Sequence, residues 1–139
     1  MNRKPILAAL GYIVVTFVIA AGWHLVAFKS LYDELGIFTR KEPIIPLGIL
    51  TIILQGMVMA YLYPRCFNGE RPLIDGLKFG LLMGVFLGSY AVFGEAAKHE
   101  VSSLSTWLIV ESIYYLMQFC IVGIVIGRIY GRRVPSEQR

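Results

Sequence analysis

The sequence predicts an all-α fold: a four-helix transmembrane bundle with a short interfacial helical extension after the first span. Three observations carry that prediction. Hydrophobic residues fill 57% of the 139 positions and charged residues only 16%, against about 45–50% and about 25% in soluble domains. Mean hydropathy is correspondingly high, +0.67. Four apolar runs, Ile6–Phe28, Ile44–Tyr63, Leu73–Phe93 and Thr106–Tyr130, are each long enough to cross a hydrocarbon core, which takes about 20 helical residues. Glycines also recur at every fourth position in the third run (Gly76, Gly80, Gly84, Gly88) and in the fourth (Gly123, Gly127, Gly131). In water each would weaken a helix by about 1 kcal/mol relative to Ala. In lipid, small residues let two backbones approach closely enough for dispersion to drive association.

The connections are too short to hold a further domain, so residues 1–139 read as one membrane domain. In the first span Pro5 pre-sets the opening turn, where its missing N–H costs nothing. This segment imitates a signal peptide, with Arg3 and Lys4 before it and Ala20-Ala21-Gly22 as a small-residue site. The apolar stretch runs on through Trp23 to Phe28, longer than a signal-peptide core, and an uncleaved helix is expected. Phe28, Leu31, Tyr32 and Leu35 then recur at i, i+3, i+4 and i+7 with Lys29, Asp33 and Glu34 between them. That spacing predicts an amphipathic turn resting on the outer interface and stopping at Gly36.

Pro43 and Pro46 bracket the start of the second span, and Pro64 is expected to stop it just after Tyr63. Residues 65–71 form a turn-rich loop around Asn68-Gly69, and Pro72 opens the third span. A polar stretch from Glu95 to Ser105 leads to Thr106-Trp107 at the head of the fourth. Gly131 and Pro135 end the ordered part, leaving residues 136–139 as a frayed tail. Tyr12, Trp23, Tyr61, Tyr63, Trp107 and Tyr130 fall near span ends and read as an aromatic belt. Cys66 and Cys120 sit at different depths, outside disulfide reach.

The net charge of +4 has an explanation that needs no nucleic acid. Arg3, Lys4, Arg65, Arg71, Lys78, Arg128, Arg132 and Arg133 gather on one side of the spans, and Lys29, Arg40, Lys41 and Lys98 on the other. The excess places both termini in the cytoplasm by the positive-inside rule, as in a multi-pass protein of the bacterial inner membrane.

Polar groups inside apolar spans are the default functional candidates, and here they are His24, Gln55, Glu111 and Gln118. On a helix Glu111, Tyr115, Gln118 and Val122 fall within about 40° of one direction, with Cys120, Gly123 and Gly127 roughly opposite. A helix with two specialised faces is sandwiched between neighbours. Insertion tolerates Glu111, since surrounding Leu, Ile, Val and Phe contribute about −0.3 to −0.6 kcal/mol each against about +3 for a central charge. His24 and Glu111 share a depth, and Glu95 and His99, at i and i+4, sit just above them. Such a set has three readings: interhelical hydrogen bonding with Glu111 snorkelling, a proton or solute path, or a metal site. No spacing is diagnostic of a metal, and neither metal nor cofactor is expected. Gln55 and Gln118, near mid-span, suit interhelical hydrogen bonds worth about 0.6–2 kcal/mol. No phosphate loop, nucleophile elbow, zinc-protease helix or paired-cysteine motif occurs, so nothing marks an enzyme.

The pattern Trp23-His24, Phe28-Lys29-Ser30-Leu31-Tyr32, Gln55-Gly56, Asp75-Gly76-Leu77-Lys78-Phe79-Gly80, Glu111 and Gln118 resembles an uncharacterised family of small bacterial four-helix integral membrane proteins, a domain of unknown function. The resemblance covers residues 10–131 and implies a four-span bundle with no assigned activity or site. The expectation is a non-enzymatic polytopic protein, a helix-packing accessory or homo-oligomer that presents the Gly76–Gly88 or Gly123–Gly131 face to a membrane partner. The alternative is a small transporter or proton-linked carrier with a polar path near His24, Gln55, Glu111 and Gln118.

Overall fold

Apolar segments of this length satisfy their own backbone by coiling. The computed structural model describes residues 3–38, 40 and 42–131, and among them it holds five α-helices and no strand. Helix α1 (Lys4–Ala21) runs on into a π-helical turn, Gly22–Ala27, and is followed by the short α2 (Lys29–Leu35). Next come α3 (Ile45–Cys66), α4 (Pro72–Ser89) with its own π-helical turn at Tyr90–Gly94, and α5 (Leu104–Tyr130). With the π turns included, four helices are long and apolar enough to cross a membrane: Lys4–Ala27, Ile45–Cys66, Pro72–Gly94 and Leu104–Tyr130. Lys41, Arg132, Arg133, Pro135 and the tail expected at 136–139 lie outside the described residues.

Helix α5 is central. It packs along α4 on one side and against α1 on another, while α3 leans chiefly on α1. Tyr12, Met59, Tyr63, Phe79, Phe119, Val122 and Ile126 fill the core between them. Other large apolar side chains, such as Val14, Leu54, Phe86 and Ile109, point outward from all four long helices.

The glycine rows of α4 and α5 meet each other. A Cβ built on Gly76 would lie 2.5 Å from the Gly123 carbonyl oxygen, and one on Gly80 would overlap the Phe119 carbonyl. Gly84 and Gly88 face Phe119 and Tyr115, and Gly127 faces Pro72, Gly76 and the Tyr63 hydroxyl. Tyr115, about 40° round α5 from Glu111, also borders this seam, with its Cβ against Gly88.

Three expectations need correction. Pro64 does not stop α3, which continues to Cys66. Proline at 64 has no N–H for the Ala60 carbonyl, and the Tyr130 hydroxyl donates to that oxygen instead, at 2.7 Å. The apolar stripe of α2, expected to lie on the outer interface, is covered by protein: Tyr32 and Leu35 are buried against Trp107 and Trp23, so the helix caps one end of the bundle. It does end at Gly36, whose φ of 72° is the left-handed cap. Finally, the near-terminal aromatics are not all a belt. Tyr61 is exposed, but Tyr12 and Tyr63 are 0% exposed and Trp107 2%, all core residues.

Candidate functional site

The site lies at the end of the bundle capped by α2 and is built around Glu111. This residue sits seven positions into α5, about 10 Å along its axis, and is 3% exposed. It points inward and does not snorkel. Its Oε1 accepts a hydrogen bond from the Tyr32 hydroxyl of α2. His24 Nε2 lies 3.7 Å from the same oxygen. Trp23 Nε1 donates to the Tyr32 oxygen at 3.0 Å, so an indole, a phenol and a carboxyl form one hydrogen-bonded row.

Two π-helical turns shape this end. In the first, the Phe28 amide reaches back five residues to the Trp23 carbonyl at 2.9 Å, and the extra residue turns both Trp23 and His24 toward α2 and α5. The second carries Val92, whose carbonyl accepts from Trp107 Nε1 at 2.9 Å. Such bulges are frequent at functional sites. Rings complete the enclosure: the His24 imidazole stacks on Tyr32 at 4.8 Å and 12°, and meets Tyr114 edge-on at 4.4 Å. Among the described residues the buried His24 Nδ1 has no hydrogen-bond partner. Burial first, then the hydrogen bond and charge of Glu111, hold the Tyr32 hydroxyl protonated far above the ordinary phenol range. Tyr32 is therefore a fixed donor to Glu111.

Glu95 and His99 do not join this cluster. They pair with each other at 3.4 Å, Glu95 also binds Lys98 at 2.7 Å, and the set lies at the surface. The four residues thus form two separate pairs, and among the described residues no group of three or more His, Cys, Asp or Glu is placed to hold a metal.

Gln55 and Gln118 lie further along the bundle. Gln55 Oε1 accepts from the Tyr12 hydroxyl of α1 at 2.6 Å. Among the described residues the buried Gln118 Oε1 has no hydrogen-bond partner, and the buried Thr16 hydroxyl of α1 lies beside that of Tyr12. Gln55 also lines a cleft of about 480 Å³ between α3 and α4, together with Ser89, Tyr90, Tyr115 and the apolar Phe86 and Leu87. The glycines Gly76, Gly80, Gly84, Gly88, Gly123 and Gly127 sit in the α4–α5 seam and bear on the site only by fixing α5.

Sequence reasoning missed Tyr32 as the partner of Glu111. The signal was present, because Tyr32 is the one member of the apolar α2 stripe with a polar tip. Trp23, read only as an interfacial aromatic, gave no such sign. No family model, curated protein or solved structure matches this chain.

Proposed function

We propose that this chain is a multi-pass protein of the bacterial inner membrane, with both termini cytoplasmic, and that it works as a proton-linked carrier of a small solute with Glu111 as the proton-binding group. The observation that carries this reading is the inward Glu111, held by Tyr32 and faced by His24. A carboxylate in a span costs about 2.5–3.5 kcal/mol on insertion scales, and acids turned into a bundle typically mark proton paths. A residue kept only for solubility would reach for the membrane surface. The buried Gln118 Oε1, which has no hydrogen-bond partner among the described residues, and the Gln55 side chain in a largely apolar cleft add polar groups toward mid-span. In this reading His24 and Glu111 exchange the proton, Tyr32 orients the carboxyl, and the solute enters beside Gln55.

The test is reconstitution into vesicles loaded with a pH-sensitive dye, with an acid jump applied in the presence and absence of amino acids, organic acids and amines. Wild-type protein is expected to relax the gradient at least tenfold faster than Glu111→Gln with one of these solutes present, on the order of a general acid–base group's contribution. Equal relaxation by wild type, Glu111→Gln and empty vesicles across all solutes refutes it.

A second reading, an accessory subunit or homo-oligomer, has one observation in its favour. The glycine faces are taken up by the chain itself, but α3 leaves its side toward α4 open at the Gln55 cleft, with room for a partner's side chains. A monomeric mass by light scattering in mild detergent, with no co-purifying protein, rejects it.

A further inference from the structure

We propose that the ends of α3 and α4, at the far end of the bundle from Glu111, form a binding site for a phosphate-bearing headgroup. The pocket there has a volume of about 510 Å³ and is lined by Arg65, Phe67, Asn68, Arg71, Asp75 and Lys78, with Glu70 also on its wall. Its construction follows from the sequence. Arg71, Asp75 and Lys78 are spaced i, i+4 and i+7, which sets them on one stripe of α4 over about 10 Å of its axis. The facing wall is the last turn of α3. There Arg65 Nη1 donates to the Tyr61 carbonyl at 2.6 Å, and its guanidinium lies over the Tyr61 ring at 3.4 Å. Between the helices Gly69, at φ 78°, makes the reversal, and Asn68 Oδ1 takes the Glu70 amide at 3.2 Å.

The charges in this pocket are unevenly satisfied. Asp75 is buried, and its Oδ2 accepts from the Arg71 backbone amide at 3.3 Å, so it ties the loop to the helix. The side chains of Arg71 and Lys78 make no ion pair or hydrogen bond among the described residues. Arg65 uses one of the five N–H donors of its guanidinium. Two unpaired cations and a third with donors to spare, around a preformed hollow, match the oxygens of a phosphate mono- or diester. Basic pockets between helix ends are where such headgroups bind. Lys78 lies about two turns into α4, and its stem reaches up the helix toward the pocket. Exposed Ile74 and Leu77 on the same turns give acyl chains a surface. The shared chemistry is the phosphate, and a lipid of the adjacent leaflet and free phosphate are its two possible sources.

The full chain is purified in mild detergent and delipidated. Phosphatidylglycerol and phosphatidylcholine adducts are then read by native mass spectrometry, and inorganic phosphate is added separately with thermal shift as readout. Binding is expected to fall about fivefold for each cation removed, in Lys78→Gln, Arg71→Gln and the double variant. Arg128→Gln, an exposed cation outside the pocket, is expected to bind as wild type. Lys78 is exposed and its ammonium makes no hydrogen bond or ion pair among the described residues, so Lys78→Gln leaves the fold intact. Phosphatidylglycerol binding lost in these variants assigns a lipid source, and phosphatidylcholine lost in parallel shows that the phosphodiester alone suffices. Phosphate protection of wild type but not Lys78→Gln, without lipid adducts, assigns a soluble source to the same pocket. Equal adducts and equal phosphate response in wild type, Lys78→Gln and Arg71→Gln overturn the proposal, as does an equal loss in Arg128→Gln.

Discussion

Adding one methyl group at Gly80 tests whether the α4–α5 seam sets the stability of the bundle. The new Cβ would overlap the Phe119 carbonyl oxygen and lie 2.9 Å from its carbon and 3.0 Å from the Cys120 Cα. All three are main-chain atoms, so no side-chain rotation relieves the overlap and the two helices must part. Overpacking costs about 1–3 kcal/mol, and with backbone on both sides the upper end applies. Alanine returns up to about 1 kcal/mol of helix propensity, leaving a net loss of about 2 kcal/mol, or about thirtyfold in the folded-to-unfolded ratio. Gly48→Ala in α3 is the control, because nothing lies within 4 Å of its Cβ position; it should be neutral or stabilising by up to about 1 kcal/mol. Gly84→Ala meets the Phe119 Cβ at 3.1 Å and the Tyr115 carbonyl oxygen at 3.4 Å, and should fall between the two. The assay is unfolding in mixed micelles by increasing dodecyl sulfate fraction, followed by tryptophan fluorescence. Gly80→Ala unfolding at the same midpoint as Gly48→Ala would show that the seam has slack and refute the reasoning.

Two further outcomes follow from single hydrogen bonds. Tyr130→Phe strips the Ala60 carbonyl of its donor and should cost about 1–2 kcal/mol. With Pro64→Ala, residue 64 regains an N–H for that carbonyl, so the same Tyr130 change should cost little, and additivity in a thermal double-mutant cycle would contradict this account. Tyr32→Phe leaves Glu111 without its donor and Trp23 without its acceptor, costing about 1–3 kcal/mol near neutral pH. Its hydroxyl also titrates late. An unfolded tyrosine ionises near pH 10 while Tyr32 keeps its proton, so its contribution is complete below about pH 10 and is lost as the pH climbs beyond it. Midpoints compared at about pH 8 and about pH 10.5 should fall less steeply in Tyr32→Phe than in wild type; parallel losses would count against it.

The four long helices were legible because length and apolar content alone specify them, and their ends fall within a few residues of the expected ones. What the sequence conceals is direction around each helix. Tyr12, Tyr63 and Trp107 sit at depths that suit an aromatic belt, yet they face protein, and depth is readable where azimuth is not. The α2 stripe was legible as apolar, but a stripe does not say whether lipid or α5 will cover it. The π turns at Gly22–Ala27 and Tyr90–Gly94 have no residue signature at all, since any side chain fits the extra position. Pro64 misled because its effect was offset by Tyr130, 66 positions along the chain. At the candidate site the shared depth of His24 and Glu111 was visible, and the donor from α2 was not.

The neighbour relations of α1 have a consequence for biogenesis. This helix is made early and α5 much later, yet Tyr12 packs near Phe119, and Lys4 Nζ latches onto the Tyr130 and Gly131 carbonyls at 3.1 and 3.2 Å. Until α5 is made, the Tyr12 ring lacks Phe119, the Lys4 ammonium lacks its carbonyls and the Tyr32 hydroxyl lacks Glu111. Closure of the bundle is therefore a late event, and α1 has to stay within reach of α5 until then.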